Sequence, residues 1–372
     1  MSRPLHIAIS ARALSLPFGG VKEFLGSTIG ELLGAGGKHR FTIYYTDPSI
    51  VGSYPEAREV CIQAPHKSIW DHWMLPRRLL RDRPDVVWFP HNVSSLGLAL
   101  PTVVTVHDLL YFRVPGVRYR EYPVPDSAYM RAAIPPSLRR ARRIVADSEW
   151  TAGDIERVLG IGRERVAVVH LAPGAEFTRV AEETVAAVRA RYGLARPFFL
   201  YSGVLSPRKN VRALVEAFGR VCGDIAHDLV LAGGRGGLDT PIDDLVAGFG
   251  IADRVRRIGV VPRHDLVALY NAATAFVFPS KYEGFGIPPL EAMACGCPVI
   301  STRATSLAEV VGDAALAFEP EDVGQLARHL VSVAADERLR QRLAAAGLAR
   351  AGQFSYARSA ARLLALLEEA AA

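Results

Sequence analysis

Two glutamates, Glu283 and Glu291, stand eight positions apart on either side of a glycine-bearing loop and a proline pair. Pro288 and Pro289 suit the start of a helix but not its interior, which predicts a loop followed by a helix. Both glutamates can then face one ligand, and carboxylates accept hydrogen bonds from vicinal hydroxyls such as those of a ribose or a hexose. The structural alternative is that Glu291 complements the helix dipole and Glu283 is solvated.

A basic pair offers the complementary chemistry. In "SPRKN", Arg208 and Lys209 follow the strand-like run "FFLYSG". Arginine presents a planar fork of donors and lysine a point charge, and both suit the oxygens of a diphosphate. A solvated basic turn is the structural alternative. No spacing of metal-ligating side chains is convincing, so no metal is expected.

The first half of the chain offers weaker signals. Gly19 and Gly20, in "FGGVKEF", lie between a strand-like and a helix-like run, where glycine lets the backbone approach a phosphate. A plain turn explains two glycines equally well, and neither this stretch nor "GGRGGLD" has the G-x-G-x-x-G pattern of a dinucleotide site. His107 ends the run "TVVTV" and is followed by Asp108, although a single histidine is more often structural.

These residues need elements that bring them to one edge of a sheet. Short β-rich runs alternate with helix-like segments in two series, which predicts an α/β fold with parallel sheets buried on both faces. The runs are "HIAIS", "FTIYYT", "VVWFP", "TVVTVHD", "RIVADS" and "VAVVHLA", then "PFFLYSG", "DLVLAGG", "RRIGVV", "TAFVFPS", "CPVIST" and "ALAFEP". Because ligands bind beyond the carboxyl ends of such strands, the loops that follow them are predicted to carry the site.

Length predicts two domains. The chain has 372 residues, half of them apolar, which is more than one hydrophobic core usually serves. The Pro- and Gly-bearing stretch "HLAPGAEFTRVAEE" marks a boundary, giving domains at residues 1–175 and 176–355. The helix-like segment 356–372 is expected to pack back on the first domain.

Charge and cysteine content limit the partners. The net charge of +6 suits an anionic ligand or an anionic membrane surface and is too diffuse for nucleic acid. The four cysteines suggest no disulfide framework and "MSRPLHIAIS" is no signal peptide, so a cytoplasmic protein is expected, with possible peripheral contact at the inner face of the plasma membrane. The apolar and arginine-rich segment 69–84 is interpreted as a core-facing helix, with a membrane-surface helix as the alternative.

Together the motifs resemble a known family. "FVFPSKYEGFGIPPLEAMACGCPVISTR" is similar to the donor-site signature of the retaining nucleotide-sugar glycosyltransferases of family four. "GVLSPRKNVRALVEAF", "LVLAGG", "IGVVPRHDLVALYNAA" and "SLAEVVGDAAL" agree in the family's order, and the similarity is looser in the first half. The resemblance implies the GT-B architecture, in which two Rossmann-like, doubly wound α/β domains face each other across a deep cleft.

The resemblance also implies roles on the donor. Arg208 and Lys209 would bind the diphosphate, Glu291 the ribose and Glu283 the transferred sugar, with backbone amides of the glycine loop beside it. The implied donor-binding residues are Gly19, Gly20, Gly203, Arg208, Lys209, Val261, Glu283, Phe285, Gly286, Ile287 and Glu291. No metal or other cofactor is required, because side-chain cations stabilise the charge of the departing diphosphate.

His107 would touch the donor sugar, which makes the implied catalytic residues His107, Arg208, Lys209 and Glu283. Near the acceptor, the resemblance places Asp108, Ser148 and Glu149.

The implied activity is transfer of a hexosyl group, with retention, from a nucleoside-diphosphate sugar to a hydroxyl. The donor is expected to be GDP-mannose or otherwise a UDP-sugar, and the acceptor a glycan, a lipid-linked saccharide or a small molecule. No carboxylate is an evident nucleophile, which favours same-face attack with the leaving phosphate taking the acceptor's proton. Two alternatives stay open: a nucleotide-sugar epimerase of GT-B type, and a non-catalytic nucleotide-sugar-binding protein.

Overall fold

A computed structural model describes residues 3–15, 20–112, 122, 124–234 and 241–372. The described chain divides into two compact units. The first unit contains the described residues up to 112, Val124–Leu171 and Ser355–Ala372, and the second contains Ala172–Phe354. The boundaries predicted from sequence, after residues 175 and 355, lie slightly farther along the chain.

Each unit contains one parallel sheet. The strands of the first are β1 (His6–Ser10), β2 (Arg40–Tyr45), β3 (Arg58–Cys61), β4 (Val86–Phe89), β5 (Thr102–Val106), β6 (Arg143–Ala146) and β7 (Val166–Val168). The strands of the second are β8 (Phe198–Ser202), β9 (Asp228–Ala232), β10 (Val255–Gly259), β11 (Ala275–Phe278), β12 (Val299–Thr302) and β13 (Leu316–Phe318). The strand order is β3-β2-β1-β4-β5-β6-β7 in the first sheet and β10-β9-β8-β11-β12-β13 in the second. In each sheet the chain adds strands first on one side of β1 or β8 and then on the other side, as in doubly wound folds.

Helices connect these strands. They are α1 (Gly20–Ala35), α2 (Lys67–Ile69), α3 (Leu75–Asp82), α4 (Val124–Arg140), α5 (Glu149–Leu159), α6 (Glu182–Arg191), α7 (Val211–Val221), α8 (Asp243–Gly248), α9 (Arg263–Ala272), α10 (Ile287–Ala294), α11 (Ser306–Val311), α12 (Val323–Ala335), α13 (Glu337–Ala351) and α14 (Tyr356–Ala371). Shorter 3₁₀ turns lie at Arg12–Ser15, Pro48–Ile50, Arg163–Arg165 and Pro207–Lys209, and a π-helix at Trp70–Met74. In the described part of the chain, no helix combines the length and the apolar character needed to cross a bilayer.

Strand β3 was missed by the sequence analysis. Its four residues, "REVC", lie at the edge of the first sheet and pair with β2. Only Val60 among them is buried, so no apolar run marks the strand. By contrast β1, β4 and β5 are buried along their whole length, which is why their apolar runs predict them correctly.

The last helix completes the first unit. Helix α14 packs against α1, β4 and β5. The Glu368 carboxylate bonds Lys38 Nζ at 2.8 Å and His39 Nε2 at 3.1 Å. Ser359 donates a hydrogen bond to the carbonyl oxygen of His170 at 2.6 Å. The chain therefore closes its first unit with its final residues.

Two opposite faces characterise the arginine-rich segment that follows β3. Trp70, Leu75 and Leu79 are fully buried, which agrees with the core-facing interpretation. Trp73 and Leu80 instead remain 60% and 55% exposed. The segment therefore also carries an apolar surface.

Candidate functional site

The loop between β11 and α10 is held in a shape that needs glycine. Gly286 has a φ of +103°, a conformation that side chains with a Cβ rarely adopt. A Cβ there would also lie 2.5 Å from Leu307 Cδ2. The helix begins at Ile287, with Pro288 in its first turn, so the predicted loop-to-helix transition lies where the two prolines indicate.

Glu283 binds both cations of the basic pair. Arg208 Nη1 lies 2.7 Å from Glu283 Oε2, and Lys209 Nζ lies 2.7 Å from Oε1. The backbone joins the same two loops, because Lys281 N–H donates to Arg208 O at 2.9 Å. The predicted catalytic residues of the second unit are thus in direct contact. We call Arg208, Lys209 and Glu283 the Glu283 cluster.

The electrostatics of the Glu283 cluster keep its carboxylate ionised. Burial alone would raise the pKa of Glu283, but the charges of Arg208 and Lys209 outweigh it and lower that pKa to about 2. The three side chains are all largely buried. With two cations and one carboxylate, the cluster has an excess of one positive charge, which favours an anionic ligand.

Two residues that the sequence analysis missed hold Glu283 in place. Thr305 Oγ1 accepts a hydrogen bond from Glu283 N–H at 2.9 Å, and Ser306 Oγ donates to the carbonyl oxygens of Glu283 and Phe285 at 2.9 and 2.8 Å. Thr305 has a φ of +56°, which is uncommon for a β-branched residue and stores strain of the kind found at functional sites. The motif "TSLAE" is the signal that could have identified them.

Glu291 occupies a different environment on α10. Its Oε2 accepts a hydrogen bond from Tyr270 O–H at 3.4 Å, and its Oε1 lies 3.8 Å from Arg263 Nη2. Burial and the charge of Glu291 raise the pKa of Tyr270 well above its ordinary value, so the phenol stays a donor. These two contacts are longer than the 2.7 Å contacts of Glu283 with Arg208 and Lys209.

The remaining predicted donor-binding positions of the second unit follow strand ends or line the glycine loop. Gly203 follows β8 with a φ of +141°, and its carbonyl oxygen would lie 1.9 Å from a Cβ at Gly233, so the two glycines let these backbones approach. Val261 follows β10 and is half-buried. Phe285 is buried against Phe354, with ring centroids 5.9 Å apart.

His107 follows β5, and each of its two ring nitrogens has a hydrogen-bond partner within the protein. Its Nδ1 is 2.6 Å from Asp147 Oδ2 and its Nε2 is 2.7 Å from the carbonyl oxygen of Pro90. Both partners are acceptors, so both ring nitrogens must carry protons. Burial lowers the pKa of His107, but Asp147 and the Pro90 carbonyl overcome it and raise that pKa above the ordinary value. We call His107, Asp147 and the Pro90 carbonyl the His107 cluster.

The predicted contact between His107 and the donor sugar stays a prediction, because both ring nitrogens are engaged within the protein. Asp147 was not singled out from sequence, nor was Asn92, whose Oδ1 accepts a hydrogen bond from His107 N–H at 2.9 Å. Neither was His91, whose buried ring nitrogens have no hydrogen-bond partner among the described residues.

The residues predicted to lie near the acceptor substrate follow β5 and β6, and each makes a local contact within the first unit. Asp108 Oδ1 accepts a hydrogen bond from Leu110 N–H at 3.0 Å. Ser148 is fully buried and caps α5 by accepting from Thr151 N–H at 3.0 Å. The exposed Glu149 bonds Arg163 Nη2 through Oε2 at 2.6 Å. These contacts leave the acceptor roles as predictions.

The glycine pair of the first unit is described in part. Gly20 is the first residue of α1, and a Cβ there would meet nothing within 4 Å. Gly19 lies outside the described residues. Among those residues, no group of three or more acidic, histidine or cysteine side chains could hold a metal ion.

Known protein families match both halves of the chain. Residues 189–350 match the family described as "Glycosyl transferases group 1", and residues 19–172 match "Glycosyltransferase Family 4". O-antigen chain mannosyltransferase B of Escherichia coli is 36% identical over 288 residues, covering 76% of this chain and 74% of that protein. The serotype-specific mannosyltransferase WbdA of Escherichia coli is 31% identical over 294 residues, which are 74% of this chain but 36% of that longer protein.

Solved structures resemble the whole chain in fold. Sucrose-phosphate synthase from Thermosynechococcus elongatus aligns with a TM-score of 0.78 at 20% identity, covering 99% of this chain and 98% of that one. Anabaena HepE, solved in complex with UDP and glucose, aligns with a TM-score of 0.77 at 18% identity, covering 98% and 100%. The predicted α/β fold with two Rossmann-like, GT-B-type domains is confirmed.

Proposed function

The chain belongs to the glycosyltransferases of group 1 and family four, and we propose that it transfers a mannosyl group from GDP-mannose to a hydroxyl of a glycan acceptor. The observation that carries this proposal is the Glu283 cluster, where a carboxylate positions two buried cations. The choice of mannose rests on two relatives from Escherichia coli, O-antigen chain mannosyltransferase B and the serotype-specific mannosyltransferase WbdA.

The Glu283 cluster suits departure of a nucleoside diphosphate. Arg208 and Lys209 would stabilise the negative charge that grows on the diphosphate as the bond to the sugar carbon breaks. Because Glu283 already fixes both side chains, little reorganisation is needed at the moment of reaction. Its carboxylate, ionised above about pH 2, would accept hydrogen bonds from hydroxyls of the transferred sugar.

Retention and independence from metals are parts of the same proposal. The acceptor oxygen would attack the anomeric carbon on the face that the diphosphate leaves, and the leaving phosphate would take the acceptor's proton. Two side-chain cations would supply the charge that a divalent metal supplies elsewhere. Glu291, at the start of α10, would bind the ribose of the nucleotide through its carboxylate.

A peripheral contact with an anionic membrane is proposed for the exposed apolar face beside α3. Trp73 and Leu80 are exposed, and the Arg77 guanidinium stacks 4.2 Å from the centre of the Trp73 ring. Arginine and tryptophan together suit the headgroup region of an anionic bilayer. Flotation with vesicles containing phosphatidylglycerol should recover more protein than flotation with phosphatidylcholine alone, and Trp73→Ala should reduce that recovery. Equal recovery from both vesicles would contradict the contact.

The activity is tested by incubating the full chain with GDP-mannose and a mannose-terminated oligosaccharide. Nuclear magnetic resonance of the product should show one added mannose in the same anomeric configuration as the donor, with unchanged rates in EDTA. Loss of activity in EDTA would contradict metal independence, and an inverted product would contradict retention. Conversion of the nucleotide sugar without transfer would favour an epimerase, and binding without turnover would favour a non-catalytic protein.

A further inference from the structure

Arg263, the first residue of α9, connects Glu291 with the residues that open the second unit. Its Nη2 lies 3.8 Å from Glu291 Oε1. Its Nε bonds the Glu176 carboxylate, and its guanidinium lies over the Phe177 ring, 4.7 Å from the ring centre. The Glu291 side chain is only 9% exposed. Arg263 therefore reaches a nearly buried carboxylate, the one proposed to bind the ribose of the donor.

The separation of Arg263 from Glu291 defines what the arginine can do there. At 3.8 Å the two groups are too far apart for a hydrogen bond but close enough for attraction between opposite charges. Arginine keeps its charge in proteins, so this attraction does not depend on pH. The guanidinium can therefore favour one orientation of the Glu291 carboxylate without donating a hydrogen bond to it.

Phe177 contacts both residues that approach Glu291 from α9. Its buried ring packs under the Arg263 guanidinium and lies 5.9 Å from the Tyr270 ring, measured between centroids. Tyr270 O–H in turn donates to Glu291 Oε2 at 3.4 Å. The position of Phe177 therefore affects Glu291 through a charge on one side and a hydrogen-bond donor on the other.

The segment that contains Phe177 is itself fixed to α9. Asn271 Nδ2 donates to the carbonyl oxygen of Thr178 at 2.9 Å, and Asn271 Oδ1 accepts from Val180 N–H at 3.1 Å. Both bonds involve the backbone of the segment, so they hold it whatever its side chains do. The Phe177 ring is consequently kept in register with the helix that carries Arg263.

A glycine makes room for the ion pair of Arg263 with Glu176. A Cβ on Gly174 would lie 2.7 Å from Arg263 Nη2 and nearer still to the Glu176 carboxylate, closer than packed Cβ atoms come to other atoms. The obstacles are the ends of two long side chains rather than backbone, so alanine here would push those side chains aside. Glycine at this position thus permits Arg263 to lie where it does beside Glu291.

We propose that Arg263 is a positioning residue, which holds the Glu291 carboxylate in the orientation that binds the ribose hydroxyls of the nucleotide. Glu176 and Phe177 fix Arg263 in turn. The proposal rests on the proposed function and deepens it, because it names a further residue that determines how the same site recognises the ribose.

The test measures by calorimetry how much more tightly the full chain binds a nucleoside diphosphate than its 2′,3′-dideoxy analogue, with GDP and UDP as parallel probes. Base and diphosphate are the same within each pair, so the ratio of affinities reports contacts with the ribose hydroxyls alone. The wild type should prefer the hydroxylated nucleotide about tenfold, as expected for hydrogen bonds to a charged group. Arg263→Met keeps the apolar stem without the charge and should reduce this preference to about threefold. Gly174→Ala should reduce it in the same direction.

Arg191→Met is the matched control, because Arg191 Nη1 bonds Asp265 of the same helix at 2.6 Å. It removes an ion pair of α9 other than the one beside Glu291, so it should lower the melting temperature and leave the preference unchanged. Wild-type preference in both Arg263→Met and Gly174→Ala would overturn the proposal. So would an equal loss in Arg191→Met, or a wild type that binds both members of a pair equally. A wild type that binds neither GDP nor UDP would instead count against the proposed function.

Discussion

The Glu283 cluster and the His107 cluster are both buried groups of charges at the carboxyl edge of a parallel sheet, but their charges balance differently. One carboxylate holds two cations in the first, which leaves one positive charge in excess. One imidazolium faces one carboxylate in the second, and its other N–H is taken by a backbone carbonyl. Two cationic side chains held side by side can donate to the oxygens of a diphosphate, whereas the imidazolium's N–H groups are both taken within the protein. The comparison suggests that the first cluster binds ligand and that the second fixes a strand end.

The largest expected effect tests whether the Glu283 cluster stabilises the departing diphosphate. Arg208→Ala and Lys209→Ala should each lower kcat about a hundredfold or more, roughly 3 kcal/mol of transition-state stabilisation, measured by steady-state kinetics. Arg212→Ala is a matched control, because Arg212 pairs with Asp244 on the surface at 3.1 Å. Its turnover should stay within about twofold of wild type, as for exposed ion pairs. Wild-type turnover in the first two variants would contradict the role of the cluster.

The two glutamates should separate binding from turnover. Glu283→Gln should lower kcat about tenfold and destabilise the fold by roughly 3 kcal/mol in urea unfolding, because two cations lose their carboxylate. Its affinity for GDP should persist, since the positive charge increases. Glu291→Gln should weaken GDP binding, measured by calorimetry, because an amide accepts ribose hydroxyls less well. The opposite pattern of affinities would exchange the two assignments.

The His107 cluster predicts a pH dependence of stability. Because the folded pKa of His107 is raised, its pairing with Asp147 contributes fully below the unfolded value of about 6.5 and is lost as pH rises through the folded pKa. Asp147→Asn should therefore lower the free energy of unfolding more below about pH 6 than above about pH 8. Urea unfolding of both proteins at the two pH values measures this. A pH-independent difference would mean that His107 is not charged in the fold.

The smallest expected effect concerns Ser148, whose hydroxyl caps α5. Ser148→Ala should cost about 1 kcal/mol of stability through loss of the α5 cap, with an unchanged KM for the acceptor. Thermal unfolding and acceptor kinetics check the two parts separately. A raised acceptor KM at unchanged stability would restore the acceptor role predicted for Ser148.

Sequence predicts features that depend on neighbouring residues. Fully buried strands such as β8 and β11 are continuous apolar runs, and the glycines and prolines between Glu283 and Glu291 specify a loop and a helix start locally. Contacts across the sheet are different, because nothing near His107 in sequence indicates that Asp147, forty residues later, accepts a hydrogen bond from its ring.

The same limit applies to the supports of the glycine loop. Thr305 and Ser306 lie beyond β12, and only the parallel pairing of β11 with β12 brings them to Glu283. The edge strand β3 is missed for another reason. It is half-exposed, so hydrophobic periodicity in the sequence does not predict where it lies. The pairing of buried charges was likewise accessible only from the structure.

Helix α14 has a consequence for how the protein forms during synthesis. It covers α1, whose Leu25, Ile29 and Leu32 are fully buried in the finished unit. Translation must first produce Ala172–Phe354, which takes on the order of 10–40 s at about 5–20 residues per second. During that interval the apolar face of α1 lacks its covering helix. The first unit can therefore take its final form only after the residues of the second unit have been synthesised.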